Sequence, residues 1–172
     1  MIHADLLRTL GYDPVNGHLT WLVRTAQRIR VGDRAGTVNP EGYRQLRVYG
    51  RIYKAHRLIW FYVYGEWPQG WIDHSNGDRD DNRISNLRLA NGSQNSANSR
   101  KRRNCKTRLK GVYLHKASGL WHARVTKDYK VVFSAYFRTE EQAHAAYSEA
   151  ARRIFGPYFN SGRAPEEQRQ CP

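Results

Sequence analysis

Cysteine is nearly missing from this 172-residue chain: Cys105 and Cys171 stand far apart in polar surroundings. They build neither a disulfide framework nor a cysteine zinc site, which excludes the small disulfide-stapled and zinc-ribbon classes. No apolar run reaches the roughly 18 residues that a membrane-spanning helix needs, and no basic amphipathic helix gathers the surplus charge. The opening Met1-Ile2-His3-Ala4-Asp5 does not read as a secretory leader, and no lipidation signal is recognised. The expected location is therefore the cytoplasm, and Asn91-Gly92-Ser93, formally a glycosylation acceptor, carries no weight. Acidic side chains are scarce as well, at 15 against 29 Lys and Arg, for a formal charge of +14. Such a balance points to a polyanionic partner, because each cation placed on a phosphate releases condensed counterions. Nucleic acid and an anionic membrane surface both qualify, and the lack of a membrane-seeking helix favours nucleic acid. The bland alternative is a well-solvated cationic surface. A hydrophobic content of 40% with 12% aromatics supports a packed core and excludes wholesale disorder.

Along the chain, residues from Ala4 to Leu10 read as a short helix. Segments His18 to Val23, Tyr43 to Val48 and Arg51 to Lys54 read as strands, bounded by the turn signals Asn16-Gly17, Asn39-Pro40-Glu41-Gly42 and Tyr49-Gly50. They predict a small antiparallel sheet. Leu58, Ile59, Phe61 and Tyr62 then mark a helix from Ala55 to Tyr64, stopped by Gly65 and Trp67-Pro68. Arg100 to Lys110 carries a basic residue at seven of eleven positions and reads as a linker. Beyond it, three strands (Gly111 to His115, Trp121 to Thr126, Val131 to Phe137) lead to a helix capped by Thr139, with Gln142 completing a capping box. The apolar stripe of that helix is Ala143, Ala146, Tyr147, Ala150 and Ile154, and Gly156-Pro157 stops it. The polar tail from Ser161 is expected to fray. The predicted class is α+β, divided into 1–99, a linker at 100–110, 111–160, and the tail 161–172.

Chemistry concentrates in Trp71-Ile72-Asp73-His74-Ser75-Asn76-Gly77-Asp78-Arg79-Asp80-Asp81-Asn82-Arg83-Ile84-Ser85-Asn86-Leu87-Arg88-Leu89, followed by Ser93-Gln94-Asn95. An Asp-His pair ending a strand, a polar loop, a second strand and a helix make an order that resembles the ββα-metal fold of HNH nucleases, with the core at about 70–99. The phrasing is similar to that of phage homing and free-standing HNH endonucleases, and the likeness extends upstream through Ala55-His56-Arg57-Leu58. Phosphodiester hydrolysis needs an activated water and neutralisation of phosphoryl charge. A neutral imidazole is the side chain best suited to take a proton near neutral pH, so His74 is the candidate general base. Asp73 points to the other side of its strand and can hold a metal without quenching that base. The resemblance implies that Asn95 is the second metal ligand and that Asn86 orients the imidazole. Asn95 replaces the histidine of the motif's name, a variant the family also contains. One carboxylate and one amide oxygen suit a single Mg²⁺ or Mn²⁺ rather than tightly bound Zn²⁺. Asn82 is expected to shape its turn, and His56, opening a buried-looking helix, to serve in packing or as a phosphate contact.

The final third carries a second likeness, in Lys110-Gly111-Val112-Tyr113, Trp121-His122-Ala123-Arg124-Val125, Phe137-Arg138-Thr139-Glu140-Glu141-Gln142-Ala143, Ala145-Ala146-Tyr147, Gly156 and Asn160. These resemble the Apetala-type domain of plant ethylene-response transcription factors, which phage HNH endonucleases also carry. The resemblance implies a three-stranded sheet lying in the major groove of double-stranded DNA with a helix behind it. Strand alternation puts Trp121, Ala123 and Val125 toward the helix and His122, Arg124 and Thr126 on the other face. Lys110, Tyr113, His115 and Phe133 are further candidate contacts, and Arg100, Lys101, Arg102 and Arg103 should track the backbone.

Together these readings predict a monomeric, site-selective DNA endonuclease that nicks one strand, leaving 5′-phosphate and 3′-hydroxyl ends, with a homing-type role. It would act in the cytoplasm of a phage-infected bacterium, without a membrane or an obligate protein partner. The rivals are a non-catalytic DNA-binding regulator on the same scaffold, a non-specific degradative nuclease and, more distantly, an RNA-directed enzyme.

Overall fold

The computed structural model describes residues 2–100 and 107–162. The chain is mixed α and β and divides into two compact units, Met1–Leu89 and Ala90–Pro172.

In the first unit, helix α1 (His3–Thr9) runs directly into a hairpin of β1 (Leu10–Asp13) and β2 (His18–Trp21), with Leu10 opposite Trp21 and Asp13 opposite His18. The sequence predicts a helix through Leu10 and one sheet of the His18, Tyr43 and Arg51 strands, whereas β2 pairs with β1 in a sheet separate from that of β4 and β5. Gly11 explains the difference: a Cβ there would lie 3.0 Å from Thr20 Oγ1, so the bare backbone lets β2 approach. At the turn, Asp13 Oδ1 accepts from the amides of Val15 and Asn16, and Gly17 closes it at φ +70°. Strands β3 (Thr37–Val38), β4 (Arg44–Val48) and β5 (Arg51–Lys54) form an antiparallel sheet in that order. Helix α2 (Ala55–Tyr64) follows β5 without a loop and ends where the Gly65 amide bonds Phe61 O at 2.9 Å in the left-handed region. Its inner face of Ala55, Leu58, Ile59 and Phe61 joins Leu6, Leu10, Leu19, Trp21, Leu46 and Val48 in one core. Each large side chain buried there contributes about 1.5–3 kcal/mol. Strands β6 (Trp71–His74) and β7 (Leu87–Ala90) pair across a polar loop that ends in a 3₁₀ turn at Ile84–Asn86.

The second unit begins with helix α3 (Gly92–Asn98), capped by Asn91, whose side chain accepts from the Gln94 amide. Strands β8 (Val112–His115), β9 (Leu120–Lys127) and β10 (Lys130–Phe137) pair antiparallel in the order β10-β9-β8. Helix α4 (Glu140–Phe155) opens where Thr139 accepts from the Gln142 amide, and it covers one face of this sheet. Val112, Ala123 and Val125 meet Ala143, Tyr147, Ala150, Ala151 and Phe155, together with Ala97 of α3. Gly111, at φ +77°, is required: a Cβ there would sit 2.2 Å from the Tyr147 ring. The folded unit also reaches back before the strands. Leu109 joins the core and its amide donates to Glu140 Oε1 at 2.7 Å, so the end of the basic run is built into the unit. Lys101, Arg102, Arg103 and the tail beyond Gly162 lie outside the described residues.

Candidate active site

Strand β6 carries Asp73 and His74 on opposite sides, and both are buried, at 5% and 4% exposure. The neighbours of the His74 ring include an amide and two further rings. Nε2 lies 3.2 Å from Asn82 Oδ1, the His56 ring stands edge-on at 5.1 Å, and the Tyr43 ring is tilted against it at 6.0 Å. Asn82 Nδ2 donates to Asp80 O, which orients the amide so that Oδ1 faces the imidazole. With that oxygen as acceptor, Nε2 is the donor of the contact. Burial lowers the His74 pKa below the ordinary histidine value, opposed by the Asn82 bond and by Asp73, Asp78 and Asp81. Beside it, burial first and then the charges of His74, Lys54 and Arg57 push His56 down to about 3, so it is neutral. Its Nδ1 is buried without a hydrogen-bond partner among the described residues.

On the other side of the strand, Asp73 Oδ2 accepts from Arg88 Nε at 2.9 Å and pairs with Arg88 Nη2 at 2.8 Å. Its partner strand β7 supplies that arginine. The Asp73 position thus already attracts a cation. Among the described residues no group of three or more His, Cys, Asp or Glu gathers where it could hold a metal. Any ion placed at Asp73 would compete with Arg88 for Oδ2.

The loop between β6 and β7 is cross-tied. Asn86 Oδ1 accepts from the Asn76 amide, while its Nδ2 donates to Asn76 Oδ1 and Asp81 O at 2.8 Å. Asp81 pairs with Arg83, and Asp80 holds both Arg34 and Arg44. The two asparagines thus exchange the places expected for them: Asn82, read as a turn former, touches the imidazole, and Asn86 closes the loop behind it. Asn82 is fully buried because Tyr12 reaches Asn82 O and the Ile84 amide, and because the Gly17 turn lies against the Asn82–Arg83 peptide. Asn95 is half-buried on α3 in the second unit.

In the second unit, the sheet face away from α4 bears an aromatic row across all three strands, Tyr113, His122 and Tyr136. His122 Nδ1 meets Tyr113 Oη, its Nε2 lies 2.7 Å from Ser134 Oγ, and Tyr136 stacks on its ring at 4.4 Å. His122 is therefore only 6% exposed, with both ring nitrogens engaged, although alternation places it on the outer face. Arg124 and Thr126 are exposed there, as are Tyr113 and Tyr136, and His115 stands edge-on to Tyr136. Phe133 turns toward the helix with the core because the strand bulges between Val131 and Phe133. Lys110 is a correction. Its Nζ donates to Ala97 O, Ser99 O and Asn160 O, using all three donors, and leaves none for a phosphate. Burial lowers it to about 8. Arg100 is exposed.

Residues that sequence reasoning passed over are Arg88, Tyr43, Ser134 and Tyr136. Arg88 was in view two positions after Asn86, but pairing across β6 and β7 is what brings it to Asp73.

Residues 53–97 match the family described as HNH endonuclease, so an HNH endonuclease domain lies there, from β5 to α3. A curated relative, Protein 3.8 of Escherichia phage T7, is 29% identical over 114 residues, covering 58% of this chain and 94% of that protein. No solved structure matches the chain. Among the described residues no helix is long and apolar enough to cross a membrane.

Proposed function

We propose that the chain is a divalent-metal-dependent endonuclease that nicks duplex DNA at preferred sites. The single observation that carries this reading is the buried, neutral His74 held through Nε2 by Asn82 beside Asp73, inside the segment matched to HNH endonucleases.

In this reading His74 Nδ1 takes the proton of the water that attacks phosphorus. Asn82 keeps the ring in the tautomer that can do so, and Asn86 keeps the loop closed around it. Asp73 and Asn95 would hold Mg²⁺ or Mn²⁺, which supplies neutralisation of phosphoryl charge and help for the departing 3′ oxygen. The products would carry 5′-phosphate and 3′-hydroxyl ends. The second unit and the basic run, with Arg100, Lys101, Arg102 and Arg103, would hold the duplex. Arg124, Thr126, Tyr113, His115 and Tyr136 would face it, while His122 supports them from within the row. One active site per chain predicts a monomer that cuts one strand, and a homing-type role and a phage-infected bacterial host follow from the resemblance. The Arg88–Asp73 pair favours the alternative of a DNA-binding protein that does not cut, since a guanidinium already satisfies the carboxylate.

The test is incubation of the full chain with phage and host genomic DNA in Mg²⁺, in Mn²⁺ and in chelator, followed by sequencing of the ends. Metal-dependent ends clustered at a few sequences are expected. His74→Ala should abolish cutting while duplex affinity stays within about two-fold, the pattern of a group acting only in the transition state. Binding without cutting in either metal would establish the regulator instead, and scattered ends the degradative nuclease.

A further inference from the structure

The first unit is rich in cations, and most of those near His74 are matched by carboxylates. Arg44 and Arg34 hold Asp80, Arg83 holds Asp81, and Arg88 holds Asp73. Lys54 and Arg79 rest on an aromatic face. Lys54 Nζ stands 4.1 Å from the centre of the Tyr43 ring, and the Arg79 guanidinium carbon 4.8 Å from the same ring. That ring is in turn the neighbour of both imidazoles, 5.4 Å from His56 and 6.0 Å from His74.

Three elements bring the group together. Lys54 ends β5 as the N-cap of α2, which places His56 two residues later in the helix's first turn. Tyr43 precedes β4, the partner of β5, with its amide tied to Asn39 Oδ1 at 2.9 Å. Arg79 comes from the β6–β7 loop. Its stem lies along the Gly42 turn, where a Cβ would be 3.8 Å from Arg79 Cδ, and its Nη1 donates to Glu41 O at 2.6 Å. The Glu41 carboxylate pairs with Lys54 alone, 3.7 Å from its Nζ and itself 65% exposed, a contact that solvent screens.

An aromatic face and a backbone carbonyl hold a cation in place without cancelling its charge, unlike a carboxylate. Two charges are thereby fixed beside the candidate base and left with hydrogen-bonding capacity for an anion. We propose that Lys54 and Arg79, seated on Tyr43, form an anion subsite for the phosphate backbone of the strand presented to His74. This rests on the nuclease reading for its substrate, but the pairing of two cations on one ring stands apart from any chemistry at His74.

The experiment compares the full chain with Lys54→Gln/Arg79→Gln, Lys54→Arg, Tyr43→Phe, Tyr43→Leu and Arg51→Gln. Arg51 is an exposed cation at the far end of the same strand and serves as the control. Nicking kinetics are read in Mg²⁺, and duplex affinity against salt in chelator, on variants whose melting temperatures match wild type. The double variant should lose about 10- to 100-fold in kcat/KM, and its slope of log affinity on log salt should fall by about two, one per phosphate contact removed. Lys54→Arg and Tyr43→Phe should retain most of the activity, Tyr43→Leu should resemble the double variant, and Arg51→Gln should resemble wild type. Wild-type kinetics and slope in the double variant, or an equal loss in Arg51→Gln, would overturn the subsite while leaving the nuclease reading intact. A wild-type chain that never cuts, yet whose salt slope still drops in the double variant, would sink the nuclease reading and keep the subsite.

Discussion

Asn82 Oδ1 meets Nε2 of His74 at 3.2 Å, and it does so from a fully buried position. Asn82→Ala should therefore lower kcat about 10- to 100-fold with KM nearly unchanged, the range seen when the partner that orients a functional histidine is removed. Asn86→Ala instead breaks the ties to Asn76 and Asp81 and should act mainly on stability, by about 1–3 kcal/mol. Paired nicking kinetics and thermal denaturation check this, and equal kcat values in the two variants would contradict it. Spacing made both asparagines visible in the sequence. It could not say which reaches the imidazole, because that depends on Tyr12 and the Gly17 turn, about 70 residues upstream. His56 leads to a second residue-scale prediction. Unfolded, its imidazole takes up a proton near pH 6.5, whereas in the fold burial holds it neutral down to about pH 3. The unfolded state binds the extra proton across that window, so stability is full above about 6.5 and declines as pH falls toward 3. His18, His74 and His122, all lowered first by burial, act with the same sign. The lowered carboxylates Asp13, Asp80 and Asp81 lose their contribution only as pH falls below their ordinary value of 3.8. Unfolding midpoints between pH 6.5 and 4 should fall steeply in wild type and less steeply in His56→Gln; parallel slopes would refute the assignment.

At the scale of elements, the site depends on a hairpin that contributes no functional side chain. The turn between β1 and β2 lies against the loop of the site so closely that a Cβ on Gly17 would be 2.3 Å from Arg83 N and 2.6 Å from Asn82 C. Gly17 is also at φ +70°, where an L side chain costs about 1–2 kcal/mol by itself. Gly17→Ala should thus cost more than that strain alone, and cleavage should fall together with the melting temperature as Asn82 is displaced from His74. Gly50→Ala is the comparison: it has φ +76° and nothing within 4 Å, so it should show the backbone strain without the loss of cutting. Steady-state nicking at a temperature where both variants are folded separates the two. The Asn16-Gly17 turn was legible from its residues, as were β4, β5, α2, the three strands of the second unit and α4, because each carries its own period and stop signal. Strands β1 and β3 were not. Gly11 interrupts the first, and the second is two residues long, so neither displays an alternation, and both exist because a neighbouring strand pairs with them.

At the scale of the whole chain, the charge of +14 and the two compact units bear on how binding and cutting divide. Helix α3 cannot be assigned by sequence order alone. It follows β7 directly, yet Ala97 lies in the second core, Lys110 ties down the carbonyls of Ala97 and Ser99, and the Asn160 amide bonds Ala97 O. Removing the three-stranded sheet would strip α3, and Asn95 with it, of these contacts. Loss of activity in such a truncation would therefore say nothing about which part reads the target. The sharper instrument is the exposed outer face of the sheet, away from the core. Arg124→Ala and Tyr136→Ala, both at exposed positions, should leave the melting temperature and the kcat at saturating DNA near wild type. They should reduce the preference for the chosen site over random duplex by about 10- to 100-fold, the worth of one good base contact. Lys110→Met should do the opposite: stability falls because three carbonyls lose their donor, while the salt slope of binding is unchanged, since its ammonium never faced a phosphate. Competition cleavage between a target duplex and random sequence measures the preference. If it is unaltered in both face variants, target choice resides outside this sheet.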